Sequence, residues 1–559
     1  MAMKRVWCVA SAGVLGGVLL SCAGNSPPES QSAAGNAGNL SGGAGAGVGG
    51  AATVGGGAGA PTATGGVTDY TGGLPPLGGA AGTAPFDWVG VVGTGQSLAV
   101  GWEATAISTM QPFHNLKLED DGPDPKYALD APATAIWKAV PLVEPIRKTV
   151  PGYMDGPYPN NVWHNGDSYG ESPHSGIGNM LSSIWQRRNG ADYLTAHTVV
   201  GIGGVGIKDI AKSSNGYLAA LNEARVFKKL ATAAGKTYGV GAVVLTHGET
   251  DANNPDYGPA VFQLQQDYET DLKAATGQTS AIVMLASQQS SSAGPGNSAI
   301  QLWQQYVAHP QQLIVTGPKY QYGPYGLHMS AGSYLRMGEK YGEVFDLVVN
   351  QKQPWKPVGP NKISRDGAVI VIDFDVPNPP LNWDERLVAP HQMLHSAWSK
   401  GRGFEVIDAA QKELTIASVE IRDNRVVLTL EQAPAAGAAL TVGYAVTQDT
   451  TDSAQGGKDL GPHGQLRDSD ELIGADFEKI EVSVVSGSPA IHSEPNAFAR
   501  RAPRDVVTGS GLPHDTVAIL LNFDDMTLSN PWTGESGKAT LTFNHDLHNY
   551  CVHFAMPVP

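Results

Sequence analysis

Short apolar runs set the rhythm of the first folded half of this chain. Residues 89–92, 198–202, 240–245, 281–285 and 312–315 are each only a few residues long and almost wholly apolar. Uniform apolarity over that length is what a strand covered on both faces requires. Between the runs, apolar positions recur at helical spacing. Leu218, Leu221, Ala224, Phe227 and Leu230 make one stripe that stops at Gly235, and Leu264, Tyr268, Leu272 and Ala275 make another that stops at Gly277. A glycine just past the last periodic residue is a helix stop signal, because it can take the left-handed conformation that closes a helix end. Strands alternating with helices predict a three-layer α/β/α domain with a parallel sheet over residues 85–350, and any site at the carboxyl ends of its strands.

Beyond residue 350 the pattern changes. Residues 368–376, 414–421, 426–430, 440–446, 480–485, 517–523 and 539–543 read as strands between turns rich in Gly, Pro and Asp, with Arg422-Asp423-Asn424-Arg425 as a polar hairpin turn. The expectation is an all-β, sandwich-like C-terminal region, one domain over 351–450 and a second β-rich region over 451–559. Residues 447–472 are polar and rich in Asp but lack the fixed spacing of a calcium loop, so a solvated connection is expected there.

The N-terminus has its own pattern. Lys4 and Arg5 precede an apolar stretch over residues 6–20, which ends in Leu19-Leu20-Ser21-Cys22. That order of charged, apolar and small residues is the order of an export signal, too short for a comfortable bilayer span. Its ending resembles a bacterial lipobox, which makes residues 1–22 a lipoprotein signal peptide and Cys22 the lipidation site; an ordinary secretory signal with an incidental cysteine is the alternative. By resemblance to known sorting signals, the absence of an acid at Ala23 favours the outer membrane or cell surface. Residues 23–84 are almost all Gly, Ala, Ser, Thr and Pro, too poor in apolar surface to offset their ordering entropy, and are expected to be a disordered linker. Its root-mean-square reach is about 40 to 50 Å.

Cysteine and charge narrow the rest. Cys8 lies in the segment to be removed, so Cys551 is left without a partner and the fold must be held by its core rather than by disulfides. A net charge of −16 argues against a broad nucleic-acid footprint. The membrane is expected to be met through the lipid anchor only.

Chemistry-bearing residues fall where the predicted strands end. Gly95-Gln96-Ser97 follows the first strand, Gly203-Gly204 the second and His247-Gly248-Glu249-Thr250-Asp251 the third, while Leu327-His328 comes after the last. A serine hydroxyl is a poor nucleophile until an imidazole accepts its proton, so Ser97 and His328 are the candidate nucleophile and base. Taken singly, each residue also has a structural reading: Ser97 as a helix cap, the glycines as a tight turn, Glu249 and Asp251 as caps or solvated acids.

Taken in order, these blocks resemble the SGNH hydrolases in their carbohydrate-acetylesterase branch, which includes sialate O-acetylesterases and acetyl xylan esterases. Gly95-Gln96-Ser97 resembles the first block and residues 202–209 the second. His247-Gly248-Glu249-Thr250-Asp251 resembles the third, usually Gln-Gly-Glu-Ser-Asp, and Leu327-His328-Met329-Ser330 the last. The resemblance covers residues 88–346. It implies a surface-anchored serine esterase removing acetyl or other small acyl groups from an acylated polysaccharide or glycan, without metal or organic cofactor. Ser97 and His328 would be catalytic, Gly203, Gly204 and His247 would form the oxyanion site, and Gln96, Glu249 and Asp251 would support them. Two positions depart from the pattern: His247 stands where Gln or Asn is usual, and Tyr325-Gly326 stand where the family carries the triad aspartate. A backbone carbonyl, or Glu249 or Asp251, would then have to orient His328. The alternative is a catalytically impaired, glycan-binding lipoprotein. Between residues 101 and 198, Trp102, Trp137, Tyr153, Tyr158, Trp163, His164, Glu171 and His174 suit either sugar stacking or a satellite core.

Overall fold

The apolar runs become a mixed sheet. In the computed structural model the described residues are 77–78, 82–102, 104, 106–120, 137–146, 170–292, 294, 296–322, 327–385, 401–447, 461–472, 474–475, the strand segments between 478 and 544, and 547–559. The signal peptide with Cys22, the linker to residue 76, Tyr325 and Gly326 lie outside them.

The strands are β1 (Trp88–Gly95), β2 (Leu116–Asp120), β3 (Trp137–Pro141), β4 (Thr195–Gly201), β5 (Tyr238–Thr246), β6 (Val283–Gln288) and β7 (Leu313–Pro318), in the order β3-β2-β4-β1-β5-β6-β7. All neighbours run parallel except the β2–β3 pair. The parallel core β4-β1-β5-β6-β7 is doubly wound, and its connections change direction at β1, the position where such sheets open a crevice for ligands. The helices are α1 (Pro173–Asn189), α2 (Asn215–Ala233), α3 (Tyr257–Thr276), α4 (Ser298–Ala308) and α5 (Ala331–Phe345).

Alternation along β1 separates the two helical layers. Val89 and Val91 pack with Ile177, Leu181 and Trp185 of α1 and with Tyr334, Met337 and Phe345 of α5. Val92 packs on the opposite face with Ala220, Ala224 and Phe227 of α2 and Leu264 and Tyr268 of α3. The α3 stop at Gly277 is met, with φ at 74° and its N–H on the Lys273 carbonyl. β2, β3 and α1 add to the expected elements: an antiparallel edge and a further helix occupy much of the stretch read as an insertion.

The C-terminal region is all-β, as the strand pattern predicts, and the Arg422–Arg425 hairpin pairs the strands Ile416–Arg422 and Arg425–Leu430. Two expectations are corrected. Residues 461–470 are not a solvated connection: Asp468 is fully buried and accepts from the Asn549 and Asn378 backbone N–H groups and the Asn549 amide at 2.8–3.1 Å. Those donors satisfy the acid, so polar sequence here is interior rather than surface. Nor does a boundary near 450 separate two self-contained regions. The last strand, Phe554–Val558, pairs with Leu440–Tyr444, and Gln288 of β6 exchanges hydrogen bonds with the His553 backbone at 2.9 Å in both directions.

Candidate active site

A backbone reversal brings Ser97 to the end of β1. Gly95 has φ at 148°, and a Cβ there would stand 2.1 Å from the Thr246 carbonyl oxygen, so only glycine fits. Ser97 then opens a short 3-10 turn to Val100, closed by Gly101 in the left-handed conformation. The turn is buried and Ser97 is 3% exposed, so its hydroxyl is largely shielded from bulk water.

His328 arrives from the other side of the sheet, after β7. Its Nε2 lies 2.8 Å from Ser97 Oγ, and the half-buried ring is packed near Trp102, centroids 6.3 Å apart. Two residues on, Ser330 caps α5 by accepting the Ser333 N–H at 3.1 Å, and Ser333 Oγ donates to the Tyr322 carbonyl at 2.5 Å. The residues carrying the imidazole are therefore fixed to a long helix packed on the sheet.

The glycine turn after β4 sits on the same edge. Gly95 and Gly201 are register partners, and the Ile202 N–H donates to the Gly95 carbonyl at 3.2 Å. Gly203 and Gly204 follow at once, Gly204 with φ at 67°. Gln96 is buried, and its Oε1 accepts the Thr250 N–H at 3.4 Å, linking the Ser97 turn to the loop after β5.

His247 does not stand as an oxyanion donor. Its Nε2 is 3.1 Å from the Val205 carbonyl, which can only accept, so that nitrogen carries the proton. Its Nδ1 is buried without a hydrogen-bond partner among the described residues, and burial pushes the imidazole below its ordinary pKa. A neutral ring with its proton committed to Val205 has only an acceptor left. The ring instead stacks on Tyr257, centroids 5.8 Å apart and nearly parallel.

The two acids of the same loop also have assignments of their own. Asp251 accepts the Ile207 N–H at 2.5 Å and the Asn254 amide at 2.7 Å, bracing the loop after β4 against the loop after β5. Glu249 Oε1 accepts from Lys319 Nζ at 2.5 Å, and both side chains are about 5% exposed or less. Lys319, at the end of β7, went unread in the sequence; a lysine directly after an apolar strand carries no signal of burial.

The residues of the 101–198 stretch divide. Trp137 is buried against Val226. His174 is buried beneath β1 with its Nδ1 2.9 Å from His197 Nδ1, and burial pushes it down to about 3. Glu171 is buried and accepts from the backbone of Ile107 and Ser108 at 2.8–2.9 Å. These three are core rather than sugar-facing. Tyr153, Tyr158, Trp163 and His164 lie outside the described residues, and Trp102 stays half-buried beside His328.

No family model and no curated protein matches the chain. Among solved structures it is similar to a carbohydrate acetylesterase from Xanthomonas citri, at 14% identity and a TM-score of 0.41, over 68% of this chain and 77% of that one. It is also similar to a protein from Arabidopsis thaliana, at 13% identity and a TM-score of 0.32, over 46% of this chain and 97% of that one. A third likeness is to NanS, at 13% identity and a TM-score of 0.26, over 44% and 78% of the two chains.

Proposed function

We propose that the chain is a serine esterase that removes acetyl or other small acyl groups from carbohydrate, exported and held at the cell envelope through Cys22. The single observation that carries this reading is the 2.8 Å approach of Ser97 Oγ to His328 Nε2 at the carboxyl edge of a doubly wound sheet. At that distance His328 takes the hydroxyl proton as Ser97 attacks the acyl carbon, then returns it to the leaving sugar oxygen. The tetrahedral oxyanion needs preorganised donors, and the backbone N–H groups of Ser97 and of Gly203 or Gly204 are the candidates; one such donor is worth about 3 to 4 kcal/mol.

The test is hydrolysis of an aryl acetate and release of acetate from acetylated xylan. The wild-type protein should turn over both, and Ser97→Ala should lose at least about a thousandfold in kcat while keeping its unfolding midpoint. Absence of turnover with either ester, or turnover undiminished in Ser97→Ala, overturns the enzyme reading and leaves a glycan-binding protein.

A further inference from the structure

The imidazole of the Ser97–His328 pair is held from the far end of the chain. In sequence His328 stands between the short 3-10 turn Lys319–Tyr322 and α5, and both flanks are fastened to one C-terminal segment, residues 547–553. On α5, Lys340 is 2% exposed and donates to the Leu547 carbonyl and, at 2.6 Å, to Asn549 Oδ1. On the turn, the Tyr320 hydroxyl donates to the Cys551 carbonyl at 2.5 Å and lies beside the Tyr444 hydroxyl. The Tyr320 N–H donates to Ser290 Oγ at 3.0 Å, and Ser290 Oγ is 2.9 Å from His553 Nε2. His553 Nδ1 lies 2.6 Å from the Ala445 carbonyl, which can only accept, so Nδ1 carries the proton and Nε2 accepts the Ser290 hydroxyl. The Tyr320 ring meets the rings of Tyr550 and His553 edge-on, with centroids 6.2 and 5.2 Å apart.

These contacts are polar and directional, where apolar packing would serve for adhesion alone. A buried hydrogen bond contributes only about 0.5 to 1.5 kcal/mol net, but it fixes where its donor sits. Proton transfer depends on that placement, since moving a catalytic group by about 1 Å can cost about a hundredfold in rate. Ser97 is carried by the end of a central strand, whereas His328 is carried between two anchored flanks. The flanks therefore set the 2.8 Å distance between them.

We propose that Tyr320 is a positioning residue for His328 and that residues 547–553 are the frame it works against, so that the end of the chain belongs to the catalytic apparatus and not only to the β region. This rests on the esterase reading above and adds to it what holds the base in place. Tyr320→Phe keeps the ring and loses the bond to Cys551; Ser290→Ala keeps Tyr320 and removes the acceptor of its N–H. Well below the unfolding midpoint, each should lower kcat on an aryl acetate about tenfold with KM within about twofold. A second readout needs no turnover: in histidine-labelled protein the ¹⁵N shift of His328 Nε2, assigned with His328→Asn, should move in both variants toward its value in Ser97→Ala, where the hydrogen-bond partner is gone. If kcat and the His328 resonance stay unchanged in both variants while stability falls, Tyr320 holds the fold alone and the positioning role is overturned with the esterase intact. A raised KM at full kcat overturns it as well. Absent wild-type turnover with the resonance still moving in the variants would sink the esterase reading and keep the positioning role.

Discussion

Two pairs of buried acids flank the Ser97 turn, and they differ in what their surroundings do to their charge. On the β5 side, Glu249 has Lys319 at 2.5 Å, and Asp251 receives a backbone N–H and an amide. On the α1 side, Glu144 accepts from the hydroxyls of Ser172 and Ser175, at 2.6 and 3.0 Å. Glu171 receives two backbone N–H groups and the Ser108 hydroxyl. Lys117 Nζ donates to the Val143 and Pro145 carbonyls, and its charge opposes part of the burial effect on Glu144. Burial raises Glu144 to about 7, and burial together with the Glu144 charge raises Glu171 to about 8. The difference is instructive: one β5-side acid is held by an ammonium partner, while the α1 side, although Glu171 also takes backbone donors, carries two acids that burial keeps protonated near neutral pH.

The largest expected effect comes from removing the cation of the compensated pair. Lys319→Met leaves Glu249 as a buried charge without its partner, at a cost of about 3 to 5 kcal/mol in unfolding free energy. Lys319→Met combined with Glu249→Gln should recover most of that loss, because the uncompensated charge is then gone. Urea unfolding of the single and double variants reads both numbers. If the single change costs under about 1 kcal/mol, Glu249 is not dependent on Lys319 and the two acid pairs are alike.

A second effect belongs to the burial-raised pair, and its sign is opposite to that of ordinary salt-bridged acids. A carboxyl whose folded value lies above its ordinary 4.5 binds its proton more tightly folded than unfolded. Stability is then greatest below about 4.5 as far as these groups are concerned, and falls as pH rises to about 8. The two acids titrate as a pair, so the measurable quantity is proton uptake on folding rather than two separate values. Unfolding free energy measured between pH 5 and 8 should decline, and Glu171→Gln should remove at least half of the slope. A flat or rising profile would mean that the α1-side acids are compensated after all.

How far the sequence showed all this depends on what each element needs from its residues. The parallel strands were legible because burial on both faces demands unbroken apolar runs, and α2 and α3 because one face meets the sheet and the other meets water. α1 escaped for a physical reason. It crosses α5 at backbone distance: a Cβ on Gly176 would stand 2.1 Å from the Leu335 carbonyl oxygen, and one on Gly338 would stand 2.0 Å from that of Pro173. Ile177, Met180, Leu181, Ile184 and Trp185 do recur at helical spacing, but the Gly and Ser positions interleaved with them, where α5 comes close, left that stripe unread. Ser97 and His328 were legible through their glycine-flanked and post-strand positions. Lys319, the Val205 hydrogen bond that removes His247 from the donor set, and the return of residues 547–558 all depend on contacts between distant segments, which spacing along the chain cannot reveal.

The finest test of the comparison is Asp251→Asn. The carboxylate accepts the Ile207 N–H with one oxygen and the Asn254 amide with the other, whereas an asparagine side chain offers one accepting oxygen and turns an NH₂ toward the second donor. The cost should be about 1 to 2 kcal/mol, read from the thermal midpoint. Because Ile207 belongs to the loop that carries Gly203 and Gly204 beside Ser97, the same change should lower kcat on an aryl acetate more than it alters KM. The equivalent exchange on the other side, Glu144→Gln, replaces an acid already protonated near neutral pH and should move neither quantity at pH 6. If Asp251→Asn loses stability but keeps its full kcat, the brace holds the fold without shaping the oxyanion donors, and the β5-side pair matters for rigidity alone.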